Sequence, residues 1–270
     1  MIIDSHLHVW NLQRAAYGWL GPHLPEVNRD IAFEEIAPVL TDLSIGGVIL
    51  VQSADNAEDT RNMLHVAATR PEIIGVVGWV PVEDPRAIAS HLDDLLRYPE
   101  IVGIRNLIHD RTDPDWVLRP AFDDGLSILE EYGLPFDFVT SSPEAIPRLV
   151  TAAGRHPGLT FVLDHLGKPP VDGPIEELRR WDELIAAAAE QPNIFAKVSG
   201  LYPTARPAGD WSVSGLARIV DTAVEAFGAE RLLYGGDWPM SIAAGGYRRV
   251  FDSLSSIVSA WPAQAQEQFW

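Results

Sequence analysis

His6-Leu7-His8 is the first place in the chain where residue types and spacing could do chemistry. Side chains two positions apart in an extended segment point to the same side. The pair can therefore grip a metal ion or work together on a water. Asp4 shares their parity. Farther along, His165 in LDHLGKP and Asp237 in YGGDWP supply a third imidazole and a carboxylate. His6, His8, His165 and Asp237 form a borderline-hard donor set suited to one divalent ion, zinc or manganese, with a position left for water. Such an ion would bring the pKa of its water toward ~7 and polarise a carbonyl. Asp237 would take the proton of the attacking water and return it to the leaving oxygen. Arg105 would hold the carbonyl oxygen or a substrate carboxylate in its planar fork. The same groups also permit a metal-independent route, in which Asp237 activates water directly while His165 and Arg105 stabilise the oxyanion. An activated ester such as a lactone needs less help than an amide. The chain holds no Gly-x-Ser-x-Gly elbow for acyl-enzyme chemistry.

These residues mean something together only if the fold gathers them. Short apolar or β-branched runs alternate with longer segments of helical period, which reads as βα units on a parallel sheet. The strand-like runs cover 2–9, 46–52, 73–80, 101–107, 134–140, 159–165, 193–200 and 231–238. Helical segments lie at 57–70, 84–98, 120–133, 142–156, 175–191 and 214–228, with further helical material after the last strand. Pro85, Pro120 and Pro143 stand where a first helical turn tolerates proline, and Gly133 and Gly228 stop helices. Only the connection from Asn11 to Ile45 is long. Eight such units predict a single-domain (β/α)8 TIM barrel over residues 1–270. The open doubly wound alternative would want a glycine-rich fingerprint after the first strand, where histidines stand instead.

In a parallel barrel the strand C-termini and βα loops share one face, and chemistry collects there. His6 and His8 end the first strand-like run, Arg105 the fourth, His165 the sixth and Asp237 the eighth. Asp137 lies on the fifth, and Lys197 and Ser199 share a face of the seventh. Gln52, Trp79, Arg105, Asp137, Lys197 and Ser199 are the candidate substrate-binding residues. Trp10, Tyr17, Trp19 and Trp79 either shape the pocket by stacking on a ring of the substrate or serve as core or loop anchors. His65 and His91 fall in helices, His156 at a helix end and His23 in the long loop. His109, after the fourth strand, is the ambiguous one.

Composition narrows the partners. Twenty Lys and Arg against 38 Asp and Glu give a formal charge of −18, which repels phosphate backbones and anionic lipid. Nucleic acid and membrane are not expected partners; a small molecule is. There are no cysteines, which removes thiolate sites and suits a reducing, cytoplasmic setting. The first residues read as a strand, not a signal peptide. Oligomeric state is left open.

The motifs DSHLHVW with YGWL, VILVQSA, GVVGWVPVEDP, GIRNLIHDRTDPDW, FDFV, VLDHLGKP, KVSGLY and FGAERLLYGGDWP occur in order along nearly the whole chain. In this the chain resembles the amidohydrolase superfamily, in the amidohydrolase 2 branch that holds sugar lactonases and 2-pyrone-4,6-dicarboxylate lactonase. The resemblance implies a (β/α)8 hydrolase that opens a lactone ring, a sugar 1,4- or 1,5-lactone or a small carboxylated relative. By motif match His6 and His8 fall on the family's H-x-H, His165 on its strand-six histidine and Asp237 on its strand-eight aspartate. Arg105, Lys197 and Ser199 fall on pocket positions. No lysine ends the fourth strand, which excludes the two-metal arrangement of some relatives. No histidine ends the fifth. Asn106 follows the arginine where sugar lactonases often carry histidine, FVTSSPEAIP lacks a frequent arginine, and Gly236 replaces a frequent serine. The competing readings are a metal-dependent decarboxylase or hydratase on the same barrel, and a catalytically silent binding module.

Overall fold

The computed structural model describes residues 1–107, 111–202 and 211–270. His109 therefore lies outside the described residues. Eight parallel strands run in the order of the chain, β1 (Ile2–Leu7), β2 (Ile45–Val51), β3 (Ile73–Gly78), β4 (Ile101–Asn106), β5 (Phe136–Phe138), β6 (Phe161–Leu163), β7 (Ile194–Val198) and β8 (Leu232–Tyr234). Between and after them come α1 (Ala37–Asp42), α2 (Ala57–Ala67), α3 (Ile88–Leu95), α4 (Pro120–Tyr132), α5 (Ile146–Arg155), α6 (Ile175–Ala189), α7 (Val213–Phe227), α8 (Tyr247–Val258) and α9 (Ala263–Phe269). This is a (β/α)8 barrel.

The ring closes just past its last strand. Leu7 bridges Trp238 in parallel. The His8 N–H donates to Trp238 O at 2.8 Å, and the Asp237 N–H donates to His6 O at 2.8 Å. The seam of the barrel thus runs between the residues of the opening motif and Asp237.

The helices follow from spacing. In α7 the buried residues are Leu216, Ile219, Val220, Ala223 and Phe227, one stripe of helical period against the strands. Its N-terminus is capped by Ser212, whose Oγ accepts from Gly215 N at 2.9 Å. Asn56 caps α2 in the same way, accepting from Asp59 N at 2.9 Å. α4 begins on Pro120 and ends at Gly133, which takes φ +67°. Pro85 behaves otherwise than expected: 84–87 close a turn, with Ala87 N–H donating to Asp84 O at 3.0 Å, and α3 starts only at Ile88. The strand-like runs at 159–165 and 231–238 yield three paired residues each, because the chain turns left-handed at His165 and again at Asp237.

The long connection folds over the barrel mouth. Trp10 and Ile31 pair antiparallel, and Trp10 Nε1 donates to Arg29 O at 2.7 Å. The buried Asp59 accepts from Ser53 N at 2.7 Å, from Ala54 N at 3.1 Å and from the Tyr17 hydroxyl at 2.8 Å. Trp19 Nε1 then reaches Ser53 O at 2.6 Å. One carboxylate therefore fixes both the loop after β2 and the segment that brings Trp19 over the mouth. No helix among the described residues is long and apolar enough to cross a membrane.

Candidate active site

The floor of the site is a buried network of charges. Asp164, at the end of β6, stands 3.3 Å from His6 Nδ1, 3.2 Å from Arg105 Nε and 3.3 Å from Lys197 Nζ. Lys197 also pairs closely with Asp137 of β5 and lies 3.3 Å from His6 Nδ1. Burial works against the Lys197 ammonium, but the carboxylates of Asp137 and Asp164 outweigh it and raise its pKa above the ordinary value. Burial alone would likewise raise Asp164; Lys197, His6 and Arg105 reverse this and hold it well below the usual carboxylate range. Arg105 is steered further by Nη1 donating to Gln52 O at 3.2 Å, while Gln52 Nε2 donates back to Arg105 O at 2.8 Å.

Above this floor opens a cavity of about 320 Å³, lined on its polar side by His8, Arg105, Thr140, His165, Lys168 and Asp237 and on its apolar side by Trp19, Leu107, Val139 and Met240, with Tyr202 between. Asp237 is its focus. Oδ1 lies 3.5 Å from His8 Nε2 and 3.8 Å from His6 Nε2, and Oδ2 accepts from the Tyr202 hydroxyl at 2.6 Å. Burial would push this carboxyl up, but His165, His8, His6 and Lys168 together hold its pKa far below the usual range. Asp237 is ionised. The imidazoles go the other way. Burial drives His6 well below its ordinary value, and burial with the nearby Lys168 charge brings His165 down to about 3. Both are neutral at neutral pH.

Each imidazole has one nitrogen engaged from behind. His8 Nδ1–H donates to Val51 O at 2.7 Å, His165 Nδ1 lies 2.8 Å from Ser199 Oγ, and His6 Nδ1 faces Asp164. Second partners of this kind orient metal-binding histidines and leave Nε2 as the ligand atom. His6, His165 and Asp237 each bring a ligand atom within 4.8 Å of the others, and His8 Nε2 adjoins at 3.2 Å from His6 Nε2. With Nδ1–H of His6 directed at Asp164, its Nε2 presents a lone pair toward His8 Nε2 at that distance. Nitrogen and carboxylate donors at this spacing, each imidazole held from behind through Nδ1, fit a divalent ion. His6 has a second consistent tautomer, in which Lys197 donates to Nδ1 and Nε2–H donates to His8 Nε2. The first form satisfies Asp164 and leaves Nε2 free as a ligand, whereas the second gives up the Asp164 contact and links Lys197, His6 and His8.

The backbone here is unusual. His165, Leu166, Gly167 and Lys168 all take positive φ, at 56°, 50°, 70° and 61°. They make one left-handed turn, closed by Lys168 N–H donating to His165 O at 2.9 Å. Each non-glycine residue in this region costs about 1–2 kcal/mol, and such strain clusters at functional sites. Gly200, at φ +56°, leaves no room for a side chain: a Cβ there would lie 2.6 Å from His165 Nδ1 and 2.7 Å from Asp237 Oδ2.

Sequence comparison agrees with this architecture. The model of the amidohydrolase family matches residues 3–269. The chain belongs to the amidohydrolase family. An L-fucono-1,5-lactonase of Burkholderia ambifaria is 33% identical over 246 residues, covering 90% of this amidohydrolase and 82% of the relative. An L-fucono-1,5-lactonase of Burkholderia multivorans is 29% identical over 270 residues, covering 96% and 88%. The crystal structure of an amidohydrolase from Burkholderia multivorans with bound zinc superposes with a TM-score of 0.91 at 26% identity, covering 100% of this chain and 96% of that one.

In this amidohydrolase the fold brings His6, His8, Arg105, His165 and Asp237 together at one mouth. Gln52, Asp137 and Lys197 lie in the network beneath the cavity, and Ser199 lies behind His165. Trp79 is outside the cavity lining, with its backbone N–H donating to Thr60 Oγ1 at 2.9 Å. Of the four aromatics, Trp19 lines the cavity; Trp10 and Tyr17 are buried supports. Asp4 leaves the histidines' side at a register shift in β1, and accepts instead from His6 N at 2.9 Å, Gly236 N at 3.0 Å and the Tyr247 hydroxyl at 2.6 Å. Tyr247 also accounts for Gly236, since a Cβ there would stand 2.0 Å from the ring. Asn106 donates to Val80 O at 3.1 Å, away from the cavity. Asp164, Lys168 and Tyr202 join the site without a signal in residue spacing, although each lies in a family motif, LDHLGKP or KVSGLY.

Proposed function

We propose that this amidohydrolase opens a small sugar lactone, a 1,4- or 1,5-lactone, to the hydroxy acid, with Asp237 as the base. The observation that carries this reading is the ionised, buried Asp237, set at the end of a cavity of about 320 Å³ beside the neutral imidazoles of His6 and His165. The naming of two similar proteins as L-fucono-1,5-lactonases supports the substrate class.

A water beside Asp237 attacks the lactone carbonyl carbon. Its proton passes to an Asp237 oxygen as the new C–O bond forms. His165 and Arg105 face the negative charge that develops on the carbonyl oxygen. When the ring C–O bond breaks, Asp237 returns the proton to the departing alkoxide, so the base is regenerated and one water is consumed. Tyr202, donating to Oδ2, fixes which carboxylate oxygen meets the water. The floor network holds His6 and Arg105 in place throughout.

His6, His8, His165 and Asp237 would hold one divalent ion, zinc or manganese, and the zinc in the Burkholderia multivorans structure supports that assignment. Such an ion supplies Lewis acidity that acidifies a water and polarises the carbonyl, which suits a base as weak as Asp237. The second tautomer of His6 gives the same residues a hydrogen-bonded arrangement that needs no ion.

The test is lactone hydrolysis by purified protein, followed with a pH indicator over a panel of sugar lactones and pyrone dicarboxylates, with and without chelator. Ring opening of a sugar lactone is the expected result. Asp237→Asn lowers kcat by about 10³-fold or more, the scale of a lost catalytic base. A variant that keeps most of its turnover contradicts the role given to Asp237.

A further inference from the structure

The mechanism so far leaves one cation of the cavity unused. Lys168 is presented by the left-handed turn that begins at His165, a turn of about three residues that puts positions 165 and 168 on the same side. Both line the cavity with Asp237. The other two basic groups of the site are tied to carboxylates, Arg105 to Asp164 at 3.2 Å and Lys197 to Asp137 and Asp164. Lys168 Nζ instead donates to Gly200 O at 3.3 Å and stands 5.9 Å from the Tyr202 ring centroid. Among the described residues no carboxylate comes within ion-pair distance of it. An ammonium has three donors, and one is spoken for.

The backbone sharpens the point. At φ +61° position 168 favours glycine, and a lysine there is strained whatever its side chain does. What the position gains from lysine is the ammonium in the cavity. We propose that Lys168 is a catalytic residue of this site, its ammonium hydrogen-bonding the substrate carbonyl oxygen as that oxygen takes on negative charge. The inference rests on the lactonase reading above. No proton leaves Lys168 in this role: it donates a hydrogen bond to the oxyanion, and the bond weakens again when the carboxylic acid product forms. Arg105, fixed by Asp164 and Gln52, faces the same oxygen and shares its charge with Lys168 and His165.

The decisive variant is Lys168→Gly, with Lys168→Met and Lys168→Arg beside it. Glycine relieves the backbone, so Lys168→Gly melts at or above the temperature of the wild type while losing the ammonium. The expected kcat on the lactone falls about 10²–10³-fold, as for other lost oxyanion donors, with KM changed by no more than a few-fold. Ethylammonium restores part of the activity of Lys168→Gly, and Lys168→Arg falls between. A kcat of Lys168→Gly within about threefold of the wild type overturns the proposal, since oxyanion donors contribute far more. A packing role against Tyr202 would instead lower the melting temperature and give no ammonium rescue. A second readout separates this proposal from the lactonase reading. Calorimetric titration with L-fuconate places a carboxylate where the oxyanion would form. If no lactone is opened by the wild type, L-fuconate binding weaker by about tenfold or more in Lys168→Gly still supports an oxyanion-binding ammonium. Equal affinity, or no binding to either protein, overturns it.

Discussion

Asp164 is flanked by His6, Arg105 and Lys197 at ion-pair distance, and the stability of the floor depends on every partner staying in place. Lys197→Met would leave Asp137 and Asp164 facing each other in a buried site with one cation fewer. Removing one partner of a buried ion pair costs about 3–5 kcal/mol, so the urea midpoint of Lys197→Met falls by a corresponding amount. A midpoint equal to the wild type's would mean that the network does not hold together as charges. His165 gives a second expectation, for metal-free protein. Its pKa is about 3 in the fold against an ordinary 6.5. Below 6.5 the unfolded chain takes up a proton that the folded chain refuses, so stability from this group is fully present above that pH and is lost as pH falls toward 3. Denaturant midpoints measured at pH 7.5, 6 and 5 should decline in that order, and His165→Gln should flatten the decline. At this scale much was legible: His6, His8, Arg105, His165 and Asp237 stand at strand ends, where residue type and parity are enough. Asp164 was not, because its neighbour His165 already occupied the strand end and only the turn shows that both side chains are used. Lys168 and Tyr202 depend on the left-handed conformations at 165–168 and 200, which no hydrophobic period announces.

The elements were legible as units more than as boundaries. Eight apolar runs became eight strands because parallel strands covered on both faces read as near-continuous apolar stretches. Their C-terminal ends were misjudged in β6 and β8, where the same apolar pattern continues into residues that turn toward the cavity. α3 starts late because a proline at 85 fits a turn as readily as a first helical turn. α4 offers a test of packing against propensity. Gly125 lies inside this helix, where alanine would add about 1 kcal/mol of helix propensity. A Cβ there would meet the Val82 carbonyl oxygen at 2.0 Å, a backbone atom that cannot step aside. Packing wins, and Gly125→Ala destabilises the protein by roughly 1–3 kcal/mol or more, the range for overpacked interiors. A melting temperature raised by Gly125→Ala would show that α4 is free to move off the loop after β3.

At the scale of the whole molecule, the seam of the barrel runs through the proposed site. Closure runs through His8 N to Trp238 O and Asp237 N to His6 O, so the hydrogen bonds that join the ends of the ring also set the distance between His6, His8 and Asp237. The architecture was legible from alternation and count alone, and the family from the order of motifs. The roof was less so: the long loop after β1 carries several aromatics, and only the path fixed by Asp59 and Ser53 shows that Trp19 reaches the cavity. The strongly acidic composition bears on partners, not on the site, where Arg105 and Lys197 are paired inside the fold and Lys168 is not. The measurement that tests the account most directly is hydrolysis of L-fuconolactone and related sugar lactones by the wild type and Asp237→Asn, with proton release followed in chelated and zinc-supplemented samples. Ring opening by the wild type that falls by about 10³-fold or more in Asp237→Asn is the predicted result. No opening of any lactone by folded, metal-supplemented wild type, or undiminished opening by the variant, would contradict it.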